Sequence, residues 1–110
     1  MSALPLTIVI AADPDAIVEW SESRKTLMHD LTLEGANALM VNTEKEEQIL
    51  INFYESFGDS LPYADVSIHR DEILDSLEIA LEYYVNEELF EKAVIARDLI
   101  KTFLQQENIN

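Results

Sequence analysis

From about Arg70 to Gln105 apolar residues return at three- and four-residue intervals, and the run is broken only by Asn86-Glu87-Glu88. That spacing predicts two amphipathic helices, one over about Arg70–Val85 and one over about Leu89–Gln105. A link so short makes consecutive helices antiparallel neighbours, so the C-terminal part reads as a helical hairpin. In its first arm Ile73, Leu77, Ala80, Leu81 and Tyr84 share a side. In its second arm Phe90, Ala93, Val94, Ile100 and Leu104 fall on or near one face, with Ile95 and Leu99 to another side. Ala93 and Ala96 permit close approach of another helix. Apolar residues on more than one side predict contacts both within the domain and beyond it.

The upstream residues read less uniformly. Leu6-Thr7-Ile8-Val9-Ile10-Ala11 is continuously apolar and β-branched, which predicts a short buried strand. Asp13 as N-cap and Pro14 at the first helical position then open a helix. Ile17, Trp20, Arg24, Leu27, Met28 and Leu31 give that helix its stripe, and Gly35 is expected to follow its end. Leu39-Met40-Val41 fits a short strand or an early helical turn. Thr43-x-x-Glu46 has the form of a capping box and predicts a second helix carrying Ile49, Leu50, Phe53, Tyr54 and Phe57, closed by Gly58 and Pro62. Val66 and Ile68 fit either another strand or a lead into the next helix. The expected fold is mainly α, with four amphipathic helices, the last two a hairpin, and room for a small N-terminal β element. An α+β fold is the alternative.

With 110 residues, 48% of them hydrophobic, the chain is expected to be a single domain (1–110) with its own core. Residues 1–68 form a strand and helix–helix part and residues 69–106 the hairpin. The absence of cysteine excludes disulfides, thiolate metal sites and a cysteine nucleophile. The N-terminal apolar run has no basic residues before it and is too short for a signal peptide or a membrane helix. A cytoplasmic protein with no membrane contact is therefore expected.

Side chains suited to catalysis do not assemble into a pattern. His29 and His69 are the only candidates for acid–base work near neutral pH. Neither has a ligand partner at helical spacing, since Thr26 and Val66 stand where a Glu-x-x-His step would need carboxylates. Ser21, Ser23 and Ser56 lack a nucleophile elbow, and Asp13 and Asp15 follow a strand without a second converging cluster. Two glycines leave no phosphate-cradling loop. The sequence predicts no enzyme activity, no cofactor and no metal.

Charge is the other constraint. Twenty-two acids against seven bases give a formal net charge of −15, which disfavours direct nucleic-acid binding and fits either a solvated surface that keeps a small protein soluble and monomeric or a protein partner with a basic surface. Asp71, Asp75, Glu78 and Glu82 stand four, three and four residues apart. At ~100° per residue they fall within about 60° of one another, opposite Ile73, Leu77 and Tyr84. Such an acidic ridge serves as a solvated face or as an electrostatic surface. In its extreme form it is an acidic decoy, a DNA mimic or an immunity-type inhibitor of a basic protein.

Phe90-Glu91-x-Ala93-x-x-x-Arg97-Asp98-x-Ile100, preceded by a helix that ends in an acidic turn, resembles the UVR motif, the helical hairpin of the UvrB and UvrC proteins. The resemblance covers about residues 73–104. It implies a protein–protein interaction module, often self-associating, with Phe90, Ala93, Arg97, Asp98 and Ile100 as partner-binding residues and a homodimer within reach. The first arm departs from the pattern at Tyr83-Tyr84-Val85, and nothing resembles the helicase or nuclease parts of those proteins. Arg97, lone among apolar neighbours, is expected to lay its methylenes along the hairpin and offer its fork to Glu87, Glu88 or a partner's acid. Asp98 is expected to be exposed and to pair with Lys101.

Overall fold

A computed structural model describes residues 4–10, 14–55 and 62–108. The elements run β1 (Leu6–Ile10), α1 (Pro14–Glu22), α2 (Lys25–Val41), β2 (Glu47–Glu55), β3 (Pro62–His69), α3 (Ile73–Asn86) and α4 (Phe90–Asn108). A 3-10 turn over Arg70–Glu72 leads into α3. The sheet order is β1-β2-β3, with β1 parallel and β3 antiparallel to the central β2. Among the described residues, four helices and a three-stranded sheet make an α+β fold, so the second of the two expected architectures is the one adopted.

Three expectations fail for identifiable reasons. The segment after Thr43 is a strand, not a helix. Ile49, Leu50, Phe53 and Tyr54 do match helical spacing, but Ile51 would then lie off the stripe, and it is wholly buried. The β-branched and aromatic content suits a pleated surface between two partner strands. Register shifts at Ile49/Ile51 and Phe53/Tyr54 disturb the alternation that would have announced the strand. The capping box at Thr43 accordingly caps nothing. Val66 and Ile68 belong to β3, and Leu39-Met40-Val41 is the last turn of α2. Asp13 and Ala11, and Ser56, Phe57 and Gly58 of the expected second helix, lie outside the described residues.

The expected first helix is two helices, and it does not stop at Gly35. The break falls at Ser23-Arg24, where the Ser23 hydroxyl donates to the Trp20 carbonyl (3.0 Å) and competes with the backbone ladder. Arg24 stacks its guanidinium 5.0 Å from the Trp20 ring centre. α2 then runs through Gly35 to Val41. Gly35 serves close packing: a Cβ built there would lie 2.4 Å from Leu50 Cδ2 and 2.9 Å from Ile68 Cγ2. The missing side chain lets α2 settle onto β2 and β3. Thr26, about half a turn round the same helix, hydrogen-bonds Tyr83 of α3 at 2.6 Å. α2 is thus the central element, covered on one side by the sheet and on another by α3 and α4.

The C-terminal end of α2 is held by Arg70. Its Nε donates to the Lys45 carbonyl at 2.8 Å, and one terminal nitrogen reaches the carbonyls of Leu39 and Asn42 at 2.8 Å, as well as that of Lys45. A fixed cation on orphan carbonyls at the negative end of a helix dipole satisfies both hydrogen bonding and charge. The core behind it is made of Leu39, Ile51, Phe53, Ile73, Leu77 and Tyr84, all fully buried.

Between α3 and α4 the chain turns at Glu87, Glu88 and Leu89. The Glu88 amide donates to Val85 O (3.1 Å) and the Leu89 amide to Tyr84 O (2.8 Å), the paired bonds of a Schellman motif. That motif needs a left-handed residue, and Glu88 supplies it with φ 59°. A non-glycine residue there costs on the order of 1–2 kcal/mol. Glu88→Gly is therefore expected to raise stability by about 1 kcal/mol, read as a higher urea midpoint, after allowing for the freer unfolded chain.

Candidate interaction surface

α4 is buried along one side only. Ala93 and Ala96 lie in the core, with Leu99, Ile100 and Phe103 half-buried beside them. The small residues let the helix approach α2 and α3 closely. Around the helix, Phe90, Val94, Arg97, Lys101 and Leu104 are all exposed, at steps of four, three, four and three residues. At ~100° per residue they form one stripe about 80° wide. Its ends are apolar, with Phe90 59% exposed, and its centre carries two cations. This is the spacing by which one helix seats another.

The residues singled out by the resemblance divide between these two sides. Phe90, Arg97 and Asp98 are exposed, Ile100 is half-buried and Ala93 is a core residue. The expectation that Phe90 and Val94 share the face of Ala93 gives way: Ala93 points into the core and they do not. Ile95 is also exposed, whereas Leu99 and Phe103 pack against the core. Arg97 reaches neither Glu87 nor Glu88. Its side chain pairs with Asp98 at 3.3 Å, both of them more than half exposed, so the pair contributes little to stability. Asp98 thus pairs with Arg97 where Lys101 was expected.

The four acids Asp71, Asp75, Glu78 and Glu82 are all exposed, Asp71 on the 3-10 turn and the other three on α3, while Ile73, Leu77 and Tyr84 on the opposite side of α3 are buried. Asp71 and Asp75, with Glu46 and Glu107, rim an open groove of about 540 Å³ whose apolar lining is Leu74 and Phe103. Arg70 lies in the same groove but is already bound to backbone carbonyls.

A polar cluster that no local sequence pattern announces ties these helices to α2. Asp30 accepts from the Tyr84 hydroxyl on one carboxylate oxygen and from the Lys92 ammonium on the other, each at 2.7 Å. Burial, and then the hydrogen bond to Asp30, push the Tyr84 hydroxyl's pKa up, so it remains a donor. Beside it His29 stacks on Tyr83, ring centres 4.4 Å apart. Burial holds the His29 pKa below its ordinary value of 6.5; Asp30 opposes that shift and Lys25 adds to it. A depressed imidazole pKa means that the unfolded chain takes up the proton first as pH falls. His29 therefore favours folding above pH 6.5, and that contribution is lost as pH drops through 6.5 towards the folded-state value. Urea titrations between about pH 7.5 and 5 should show this slope in the wild type and a shallower one in His29→Gln.

Among the described residues no group of three His, Cys, Asp or Glu side chains could hold a metal ion, and no helix is long and apolar enough to cross a membrane. Comparison of the chain with protein-family models, curated proteins and solved structures returned no match.

Proposed function

We propose that the chain is a small acidic, cytosolic interaction module or regulatory adaptor, which binds another protein through the outward side of a UVR-like α3–α4 hairpin. The observation that carries this reading is the exposed stripe of Phe90, Val94, Arg97, Lys101 and Leu104, which flanks the buried side of its helix. A solvated helix surface needs no phenylalanine; a helix that receives a partner needs large apolar anchors flanked by charge. The Tyr84–Asp30–Lys92 contacts support the same reading by fixing the pair of helices rigidly on α2.

Capture of partners on the immobilised protein, followed by affinity measurement with the purified partner, tests it. Because Phe90 is largely exposed, Phe90→Ala should leave the fold intact, without the ~3–5 kcal/mol penalty of a buried phenylalanine. Its expected effect is on affinity, a loss of at least about tenfold, with a comparable loss for Arg97→Glu. Unchanged affinity in both variants would rule out the α4 stripe.

The exposed acids of α3 favour a second reading, an acidic decoy for a basic protein. Neutralising Asp71, Asp75, Glu78 and Glu82 separates the two. Binding that weakens steeply with salt and disappears in that variant assigns the decoy role. Binding that survives neutralisation and depends on Phe90 assigns the hairpin role.

A further inference from the structure

The two edges of the sheet are built differently. β3 carries Pro62, Asp65 and His69 and register shifts against β2, all features that hinder pairing with a further strand. β1, at the other edge, reads Leu-Thr-Ile-Val-Ile, with no charge and no proline in a chain that is 26% charged. Among the described residues nothing pairs with its outer side, since β1 is the terminal strand in the order β1-β2-β3. Its side chains make the same point. Leu6, Ile8 and Ile10 face the core yet remain half-exposed, whereas Ile51 and Phe53, the β2 partners of Leu6 and Ile8, are fully buried. Val9, on the outward face, is 60% exposed. The core thus stops short at β1, and the strand offers the unpaired backbone groups and apolar side chains that a further strand would cover.

We infer that β1 is a strand-pairing surface and that its occupant is β1 of a second copy, the two strands running antiparallel about Ile8. An uncharged strand is compatible with itself: this register sets Leu6 against Ile10 of the second copy, and Thr7 against its Val9. No like charges meet along the seam, although each chain carries −15 overall. The pairing extends the sheet across the two-fold axis and covers Leu6, Ile8 and Ile10 on both copies. Five residues per strand make a small contact, so the dimer is weak, with Kd on the order of 100 µM. Its salt dependence has a definite sign: added salt screens the mutual repulsion and tightens it.

The test is analytical ultracentrifugation of the full chain from about 10 µM to 1 mM, a range that brackets such a Kd, with hydrogen exchange on residues 4–10. A reversible dimer is expected, tighter in salt, with β1 protection rising with protein concentration. Thr7→Glu and Val9→Glu, both at exposed positions, should weaken it at least about tenfold while circular dichroism stays unchanged, and Val9→Thr should leave it intact. A monomer at every concentration overturns the inference, and so does β1 protection that appears only when a different protein is added. A dimer indifferent to Val9→Glu but lost in Phe90→Ala also overturns it and assigns self-association to α4. Should the glutamate variants fail to fold, the concentration dependence of wild-type β1 protection decides alone.

Discussion

Gly35→Val is expected to destabilise the fold by about 3 kcal/mol, the upper range for overpacking a tight core. A Cβ at this position meets Leu50 Cδ2 at 2.4 Å and Ile68 Cγ2 at 2.9 Å. Leu50 can rotate its terminal carbon, but it is itself buried and has little room to move into. The Ile68 methyl sits on a β-branched carbon and yields less. Alanine at Gly35 would recover about 1 kcal/mol of helix propensity against the same first contact, so Gly35→Ala should be the milder change. Valine adds two methyl groups to the clash. The measurement is the urea midpoint at constant m-value. A midpoint within error of wild type would mean that α2 does not rest on β2 and β3 at this point.

The second large effect belongs to Asp30. Asp30→Ala removes the acceptor of a hydroxyl on the fully buried Tyr84 and the partner of Lys92 together. An unsatisfied buried hydroxyl costs about 1–3 kcal/mol. The Lys92 pair adds less, because both side chains are more than a third exposed. A total of about 2–3 kcal/mol is expected. Tyr84→Phe removes the donor but leaves Asp30 with Lys92, so about 1 kcal/mol is expected there. The double variant Asp30→Ala/Tyr84→Phe should be no less stable than Asp30→Ala alone, because the stranded hydroxyl is gone. Additive losses would contradict the coupling.

These two sites also mark where the sequence stops being readable. The helical spans of α3 and α4 follow from three- and four-residue spacing and the strand β1 from β-branching, although β1, expected to be buried, is an edge strand with no fully buried residue. β2 does not, since its register shifts place consecutive apolar residues where a helix would also put them. Gly35 reads as a terminator because glycine commonly ends helices, and only the distance to Leu50 and Ile68 reveals its other use. Glu88 is the reverse case, a left-handed turn position with no glycine to announce it. The Asp30 contacts join residues 54 and 62 positions apart, beyond the reach of any local pattern.

The surface followed the same division. Exposure of Asp75, Glu78 and Glu82 agrees with a stripe set opposite the apolar face of α3, and Asp71 is exposed on the 3-10 turn before it. The side to which Phe90 belongs was not readable, because α4 carries apolar residues nearly all round. Only the burial of Ala93 and Ala96 separates its core side from the exposed stripe. Arg97 is therefore a member of that stripe and not an internal anchor.

The most direct test of the proposed role is amide chemical-shift mapping of the labelled protein as purified partner is added. The stripe predicts that the largest changes gather on Phe90, Val94, Arg97, Lys101 and Leu104, with the outward residues of α3 next to them. Changes confined to α1 and the sheet, with α4 silent at saturation, would contradict a hairpin contact.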